Sequence, residues 1–116
     1  MIIAGGRDFD NYDYLRRQCR AFLSRHGKER RVVIVSGHAD GADLLGEKFA
    51  IENGLPLEIY PADWEKNWRS VGFRRNELMG DIADALIAFW NGNSHGTKHM
   101  IEYASGKGLD VVVCGY

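Results

Sequence analysis

The sequence has few of the features that mark secreted, membrane-bound or disordered proteins. Two cysteines and two prolines occur among 116 residues. Cys19 and Cys114 match no metal or redox spacing, and no arrangement of histidines predicts a metal site. No apolar run approaches the roughly 20 residues that cross a bilayer, and no signal peptide is recognisable at the first residues. We therefore expect a cytoplasmic protein with reduced thiols, no metal, no cofactor and no membrane partner.

An excess of charge of one sign is also missing. Fifteen Lys and Arg residues against sixteen Asp and Glu residues give a formal net charge of -1. Nonspecific nucleic-acid binding depends on an excess of positive charge, so nucleic acid is not the partner that we expect. The length is typical of one compact domain over residues 1–116, and 45% hydrophobic with 27% charged residues is ordinary for a globular protein.

Short apolar runs alternate with segments of helical periodicity along the whole chain. The runs are typical of buried strands and cover residues 1–4, 32–35, 56–60, 85–90 and 109–114. The periodic segments predict helices over residues 12–25, 42–53, 74–83 and 97–105. This order predicts an α/β fold, a single Rossmann-like doubly wound parallel sheet of about five strands with helices on both faces. Ligands of such sheets bind beyond the carboxyl ends of the strands, so the residues that follow each strand are the candidates.

Glycines and an arginine follow the first predicted strand. Gly5 and Gly6 allow the backbone to approach a ligand closely, because glycine has no side chain to obstruct it. The forked guanidinium of Arg7 can bind a phosphate or a carboxylate. A tight turn with an exposed arginine is the plainer alternative.

The loop after the second predicted strand is typical of a phosphate-binding loop. Ser36, Gly37 and Gly41 precede a helix, whose first N–H groups and dipole attract anions. The Gly-Lys-Ser/Thr ending of a Walker loop is missing, so the sequence does not predict nucleotide hydrolysis of that kind. Asp43 either caps this helix or contacts the ligand.

The connection after the third predicted strand is the longest and contains Trp64 and Trp68. These rings stack on a base, form a dimer contact or cover the core, and the residues alone do not decide between the three. Arg75 and Asn76 follow at the predicted start of the third helix, where they can offer a charge and an amide to a ligand. Glu77 lies in the predicted first turn, where the helix dipole favours a carboxylate.

The stretch after the fourth predicted strand has the strongest ligand-binding character. It combines small polar residues and glycines ahead of a helix, among them Asn91, Gly92, Ser94, Gly96 and Thr97. Backbone N–H groups and the hydroxyls of Ser94 and Thr97 are groups that hold a phosphate. The alternative is a polar turn in which Thr97 is the N-cap of the helix.

Taken together, these loops resemble the small YspA/cpYpsA-related branch of the SLOG (SMF/DprA–LOG) superfamily. The motifs that carry the resemblance occur in register along essentially the whole chain: Gly5-Gly6-Arg7-Asp8-Phe9, Ser36-Gly37, Gly41-Ala42-Asp43, Pro61-Ala62-Asp63-Trp64, Gly72, Arg75-Asn76 and Ser94-x-Gly96-Thr97-x-His99-Met100-Ile101. The resemblance implies a Rossmann-like domain that binds a nucleotide or a nucleotide-derived ligand such as NAD, ADP-ribose or AMP. It further implies ligand contacts at Gly5, Gly6, Arg7, Gly37, Gly41, Asp43, Arg75, Asn76, Ser94, Gly96 and Thr97.

Some positions depart from the pattern of the superfamily. His38 stands where glycine is common, and Phe73 where proline is common. The LOG hydrolases resemble one another in a Pro-Gly-Gly-x-Gly-Thr-x-x-Glu loop, and Met100 stands here in place of its glutamate, with Glu102 two positions later. These departures weigh against hydrolysis of the LOG type.

Three functions follow from these residues. The first is binding without turnover, as a sensor or a sequestering module in bacterial or phage conflict, with Trp64 or Phe9 stacked on a base. The second is an N-glycosidase or phosphoribohydrolase, with Asp43 and Glu77 as catalytic carboxylates and Glu102 as a weaker candidate. The third is a DprA-like binder of single-stranded DNA, against which the net charge argues. We favour binding, by a homodimer or higher homo-oligomer whose second copy completes the pocket.

Overall fold

Strands and helices alternate along the chain as the apolar runs predict. The computed structural model describes residues 1–26, 31–62 and 68–116. Its elements are β1 (Ile2–Gly5), α1 (Tyr12–His26), β2 (Ile34–Ser36), α2 (Ala42–Glu52), β3 (Leu57–Ile59), α3 (Trp68–Ile82), β4 (Ala85–Trp90), α4 (His95–Gly106) and β5 (Asp110–Gly115). The predicted α/β fold is confirmed.

The five strands form one parallel sheet in the order β3-β2-β1-β4-β5. Ile2 of β1 pairs with Val35 of β2 on one side and with Leu86 of β4 on the other. Starting from β1, the chain therefore adds β2 and β3 on one side of the sheet. After α3 it adds β4 and β5 on the other side of β1. The reversal lies between β1 and β4, which makes the carboxyl ends of these strands the expected ligand position.

Two hydrophobic clusters cover the two faces of the sheet. On the face of α1 and α2, Ile3 packs with Leu15 and Phe49, and on the face of α3 and α4, Ile2 packs with Met79 and Met100. Neighbouring residues of β1 enter opposite clusters because side chains alternate along a strand. Within the residues that the structure describes, no helix is both long and apolar enough to span a bilayer.

The third helix is where the prediction from periodicity was wrong. It begins at Trp68, six positions before the predicted start, and continues through Gly72. A glycine in a helix interior costs about 1 kcal/mol relative to alanine, so Gly72 weakens the helical signal before residue 74. Gly72 is buried, however, so the helix is packed against other parts of the protein at this position. Arg75 and Asn76 consequently lie in the third turn of α3, not at its start.

Replacing Gly46 by alanine should destabilise the domain, because α2 lies directly against β1 at this glycine. An added Cβ would stand 2.7 Å from Cγ2 of Ile3, which is fully buried. We expect a loss of about 2 kcal/mol in the free energy of unfolding, as for other overpacked core positions. Urea denaturation measures it, with Gly106→Ala as control, since nothing lies within 4 Å of an added Cβ there. An equal effect of the two substitutions would contradict this account.

Candidate functional site

The candidate site lies at the carboxyl ends of β1 and β2, where four segments of the chain meet. They are the loop after β1, the loop after β2, the third turn of α3 and the first turn of α4. Each contributes residues that the sequence predicts for a ligand site. The contacts among them extend from the β1 loop to the start of α4.

Arg75 connects α3 to the ends of two strands. Its guanidinium Nη1 donates to the carbonyl oxygen of Gly37, and the same nitrogen lies 3.5 Å from the carbonyl oxygen of Tyr60. Its Nε donates to Oδ1 of the neighbouring Asn76 at 3.0 Å. The side chain is thus fixed over the loop that follows β2. Lysine could not replace it, because a single ammonium cannot reach these separate acceptors in a fixed plane.

Asn76 connects α3 to the beginning of α4. The side chain is buried, and its Nδ2 donates to the carbonyl oxygen of Gly96 at 3.2 Å. Nδ1 of His99 lies 3.4 Å from the same nitrogen. The Arg-Asn pair, in the third turn of α3, therefore connects the loop after β2 to the first turn of α4.

Asp43 is a buried carboxyl group in the first turn of α2, only 4% exposed. Its Oδ2 accepts a hydrogen bond of 3.3 Å from the N–H of Ala39. Burial raises the pKa of Asp43 from 3.8 to about 6, and the positive charge of Arg75 opposes that rise. A carboxyl group with a pKa near 6 changes its protonation close to neutral pH, which a plain helix cap does not require.

Gly37 lies between Arg75 and Asp43. A Cβ at this position would stand 2.3 Å from Nη1 of Arg75 and 2.8 Å from Oδ2 of Asp43. Only a residue without a side chain lets these two charged groups meet over the loop. Packing of Arg75 and Asp43 therefore explains why position 37 is a glycine, in addition to the close ligand approach that the sequence predicts.

Gly41 holds the loops after β1 and β2 together. Its φ of +80° is a conformation that favours glycine, and an added Cβ would stand 2.3 Å from the carbonyl oxygen of Gly6. The N–H of Ala42, at the start of α2, donates to the same oxygen at 3.2 Å. The N–H of Ala42, one of the free N–H groups expected at this helix start, is therefore already hydrogen-bonded to Gly6 within the protein.

Arg7 extends from the β1 loop with an exposed side chain. Burial lowers the pKa of Arg75; Asp43 raises it, and the charge of Arg7 lowers it further, so the two guanidinium groups act on each other. Two cations held close together are unfavourable unless an anion accompanies them. The carboxyl group of Asp43 is such an anion, and its effect on the pKa of Arg75 is larger than that of Arg7.

The first turn of α4 is capped by Ser94, and not by Thr97 as the alternative interpretation has it. The Ser94 hydroxyl accepts from the N–H of Thr97, and the two hydroxyl oxygens lie 3.1 Å apart. Oδ1 of Asn91 accepts from the N–H groups of Asn93 and Ser94. Gly92, with a φ of +87°, completes this turn. Gly96, which carries a backbone N–H in the same first turn, is exposed.

Phe9 does not lie on the ligand side, although the sequence places it among the candidates. It is 3% exposed, and its ring packs against Phe89 at a centroid distance of 4.8 Å and against Tyr116 at 4.9 Å. A ring enclosed by other rings has no free face for a base, so stacking by Phe9 is wrong. Trp64, the other stacking candidate, lies outside the described residues.

The carboxylates of Glu77 and Glu102 lie away from the cluster around Gly37. Glu77 is partly exposed on α3, with Oε2 3.8 Å from Nε2 of His99, and Glu102 pairs with Lys98 on the surface of α4. Asp43 is thus the predicted carboxyl group that contacts the loop after β2. No group of three or more potential metal ligands occurs among the described residues.

Sequence reasoning missed a second cluster in the β2 loop, formed by Ser36, His38 and Glu47. Oε2 of Glu47 lies 2.7 Å from the Ser36 hydroxyl and 2.8 Å from Nδ1 of His38. His38 also has a φ of 60°, the left-handed region that favours glycine. A histidine where related sequences have glycine was the available signal, and Glu47, nine positions later in a helix, had none.

This architecture, with glycine-rich loops at the reversal of a parallel sheet, defines a Rossmann-like α/β domain. The model of the YspA, cpYpsA-related SLOG family matches residues 1–67, which is more than half of the chain. The chain belongs to this family, and membership indicates a nucleotide-related function.

A relative from a bacterial virus supports the same assignment. The chain is similar to the Gene 61 protein of Mycobacterium phage D29, with 33% identity over 96 residues, 78% of this chain and 77% of the relative. No solved structure matches the chain.

Proposed function

We propose that this domain binds a nucleotide-derived ligand of the AMP, ADP-ribose or NAD type at the carboxyl ends of β1 and β2. The observation that carries the proposal is the position of Arg75, whose Nη1 donates to the carbonyl oxygen of Gly37 in the loop after β2, with Arg7 exposed in the loop after β1. A phosphate between these two guanidinium groups would offset their repulsion and accept hydrogen bonds from their N–H groups. Its family membership supports the same ligand class.

The loops offer backbone groups to such a phosphate. Gly92, in the loop after β4, and Gly96, in the first turn of α4, are both exposed. Backbone N–H groups at a helix start add to the attraction of an anion. In this proposal the arginines supply positive charge, and the backbone of the loops forms the surface that contacts the phosphate.

Isothermal titration calorimetry with AMP, ADP-ribose, NAD and adenosine tests this proposal. We expect the three phosphate-bearing compounds to bind and adenosine, which lacks the phosphate, to bind at least about tenfold more weakly, as loss of a charge-assisted contact requires. Binding should weaken as salt is raised. Equal affinities for AMP and adenosine would refute the phosphate site.

Arg7→Ala should weaken the binding of ADP-ribose by about tenfold or more while leaving the fold intact, because Arg7 is exposed and offers its charge to the ligand. Arg17→Ala is the matched control. Arg17 is an exposed arginine on α1 whose Nε lies 3.8 Å from Oδ2 of Asp13. If both variants lost the same affinity, a general effect of net charge would explain the result and the assignment of Arg7 would fall.

Biological role and assembly belong to this proposal too. A sensor or sequestering role in bacterial or phage conflict agrees with the similarity to a phage protein. A cytoplasmic homodimer or higher homo-oligomer stays a prediction: Phe73, one of its expected contacts, is 39% exposed, and its ring stacks on His99 at 4.2 Å. Trp64 lies outside the described residues.

A further inference from the structure

We propose that His38, held by Glu47, transfers a proton in the hydrolysis of a phosphoanhydride or phosphodiester bond of the ligand. This inference rests on the proposed function, since the phosphate must first be bound. It adds a reaction at phosphorus, in which the proton is carried by His38 and Glu47, two residues outside the predicted ligand and catalytic set.

The first observation is the fixed orientation of the imidazole ring. Nδ1 of His38 lies 2.8 Å from Oε2 of Glu47, which leaves Nε2 as the ring nitrogen without a hydrogen bond among the described residues. The side chain is 49% exposed, whereas the side chain of Glu47 is only 11% exposed. A buried carboxylate that holds one imidazole nitrogen orients the ring and stabilises the imidazolium form when the other nitrogen takes a proton.

The second observation is the backbone of His38. A φ of 60° costs a residue other than glycine roughly 1 kcal/mol or more, and such strain concentrates at functional sites. The N–H of His38 donates to the Ser36 hydroxyl at 3.0 Å, and this hydroxyl in turn contacts Glu47. The strained conformation is thus maintained by the same three residues that orient the ring.

The third observation connects this cluster to the phosphate site. The Ser36 hydroxyl, which contacts Glu47, also lies 3.4 Å from the main-chain oxygen of Asp43. His38 is also the direct chain neighbour of Gly37, whose carbonyl oxygen accepts from Arg75. The imidazole of His38, the carboxyl groups of Glu47 and Asp43 and the guanidinium group of Arg75 therefore all lie at the loop after β2.

Together with Arg7, these are the groups that hydrolysis at phosphorus needs. Arg7 and Arg75 hold the phosphate oxygens, and Nε2 of His38 takes a proton from a water molecule as its oxygen forms a bond to phosphorus. The bond from phosphorus to the leaving oxygen breaks, and its electron pair goes to that oxygen. The proton on His38 then passes to the leaving oxygen, so that water is the only other reactant and the enzyme returns to its starting state.

The test is a time course followed by ³¹P and ¹H NMR on the intact protein with ADP-ribose, NAD and the dinucleotide ApA. We expect new phosphomonoester signals from at least one compound, and a rate at least about 100-fold lower in His38→Asn. Asparagine tolerates a positive φ, and its amide can still donate to Glu47, but it has no basic nitrogen in the place of Nε2. His26→Asn, at the last residue of α1 and so at the opposite edge of the sheet, is the control and should keep the full rate.

Glu47→Gln is the second variant, because it keeps the partner of Ser36 and removes the charge that supports the imidazolium. We expect a slower reaction and a displaced pH–rate profile with unchanged affinity for ADP-ribose, a combination that a purely structural role would not produce. Glu52→Gln on the same helix should change neither.

Each other outcome counts against the inference. Binding without any new signal, or full activity in His38→Asn, would overturn it while leaving the proposed function standing. Release of free base or nicotinamide with unchanged ³¹P signals would overturn it in favour of a glycosidase. Absence of binding by every compound would overturn both proposals.

Discussion

Replacing Arg75 by methionine should lower the free energy of unfolding by about 2 kcal/mol, because it leaves the carboxyl group of Asp43 buried without its positive neighbour. The effect is set below that of a fully buried pair because Arg75 is only partly buried. The carbonyl oxygens of Gly37 and Tyr60 also lose their donor. Urea denaturation at pH 7 gives the magnitude.

A double variant separates lost charge from lost packing. If the penalty arises from the isolated carboxylate, Asp43→Asn added to Arg75→Met should recover about half of it, because a neutral amide is cheaper to bury. Strictly additive losses would mean that Arg75 acts only through its hydrogen bonds. The pair of charges would then have no energetic coupling.

Because of Asp43, the protein should be more stable in mild acid than at neutral pH. Burial raises its pKa from 3.8 to about 6, so between these values the folded state binds a proton that the unfolded state has released. Stability therefore falls as pH rises from about 4 through about 6, by up to about 3 kcal/mol in all. Above that range the full cost of the buried charge remains.

Asp43→Asn should remove this slope. The difference in unfolding free energy between variant and parent, measured by urea denaturation at pH 4.5 and pH 7.5, is expected to shift in favour of the variant at the higher pH. Asp13→Asn serves as the control, because Asp13 is an exposed carboxylate that pairs with Arg16 on α1. A parallel pH dependence in parent and Asp43→Asn would show that Asp43 titrates normally.

The order of the elements and the position of the site follow from the sequence because both depend on local patterns. Apolar runs bounded by glycines predict strands, and the alternation with helices predicts a parallel sheet. The bounds of β4, residues 85–90, agree with the prediction because its apolar run is long and ends at polar residues. Knowledge that ligands bind at strand ends then selects Gly37, Asp43 and Arg75.

Features that depend on distant contacts were not accessible in this way. Phe9 follows a glycine-rich loop, which predicts exposure, but Phe89, Tyr14 and Tyr116 enclose it from three other elements or chain ends. Gly72 reads as a helix boundary until its burial is known. The contact of His38 with Glu47 depends on how α2 turns over β2, which no residue spacing specifies.

The pairing of β1 with β4 constrains how this chain can fold. Ile2 lies beside Leu86, so the central pair of the sheet forms only after nearly three quarters of the chain is available. Closing so long a loop is entropically slow, and contacts of this kind lower folding rates. Residues 1–67, which carry the family match, contain β1, β2 and β3 without β4. Expressed alone, this segment would expose one edge of β1 and should not fold as an independent unit.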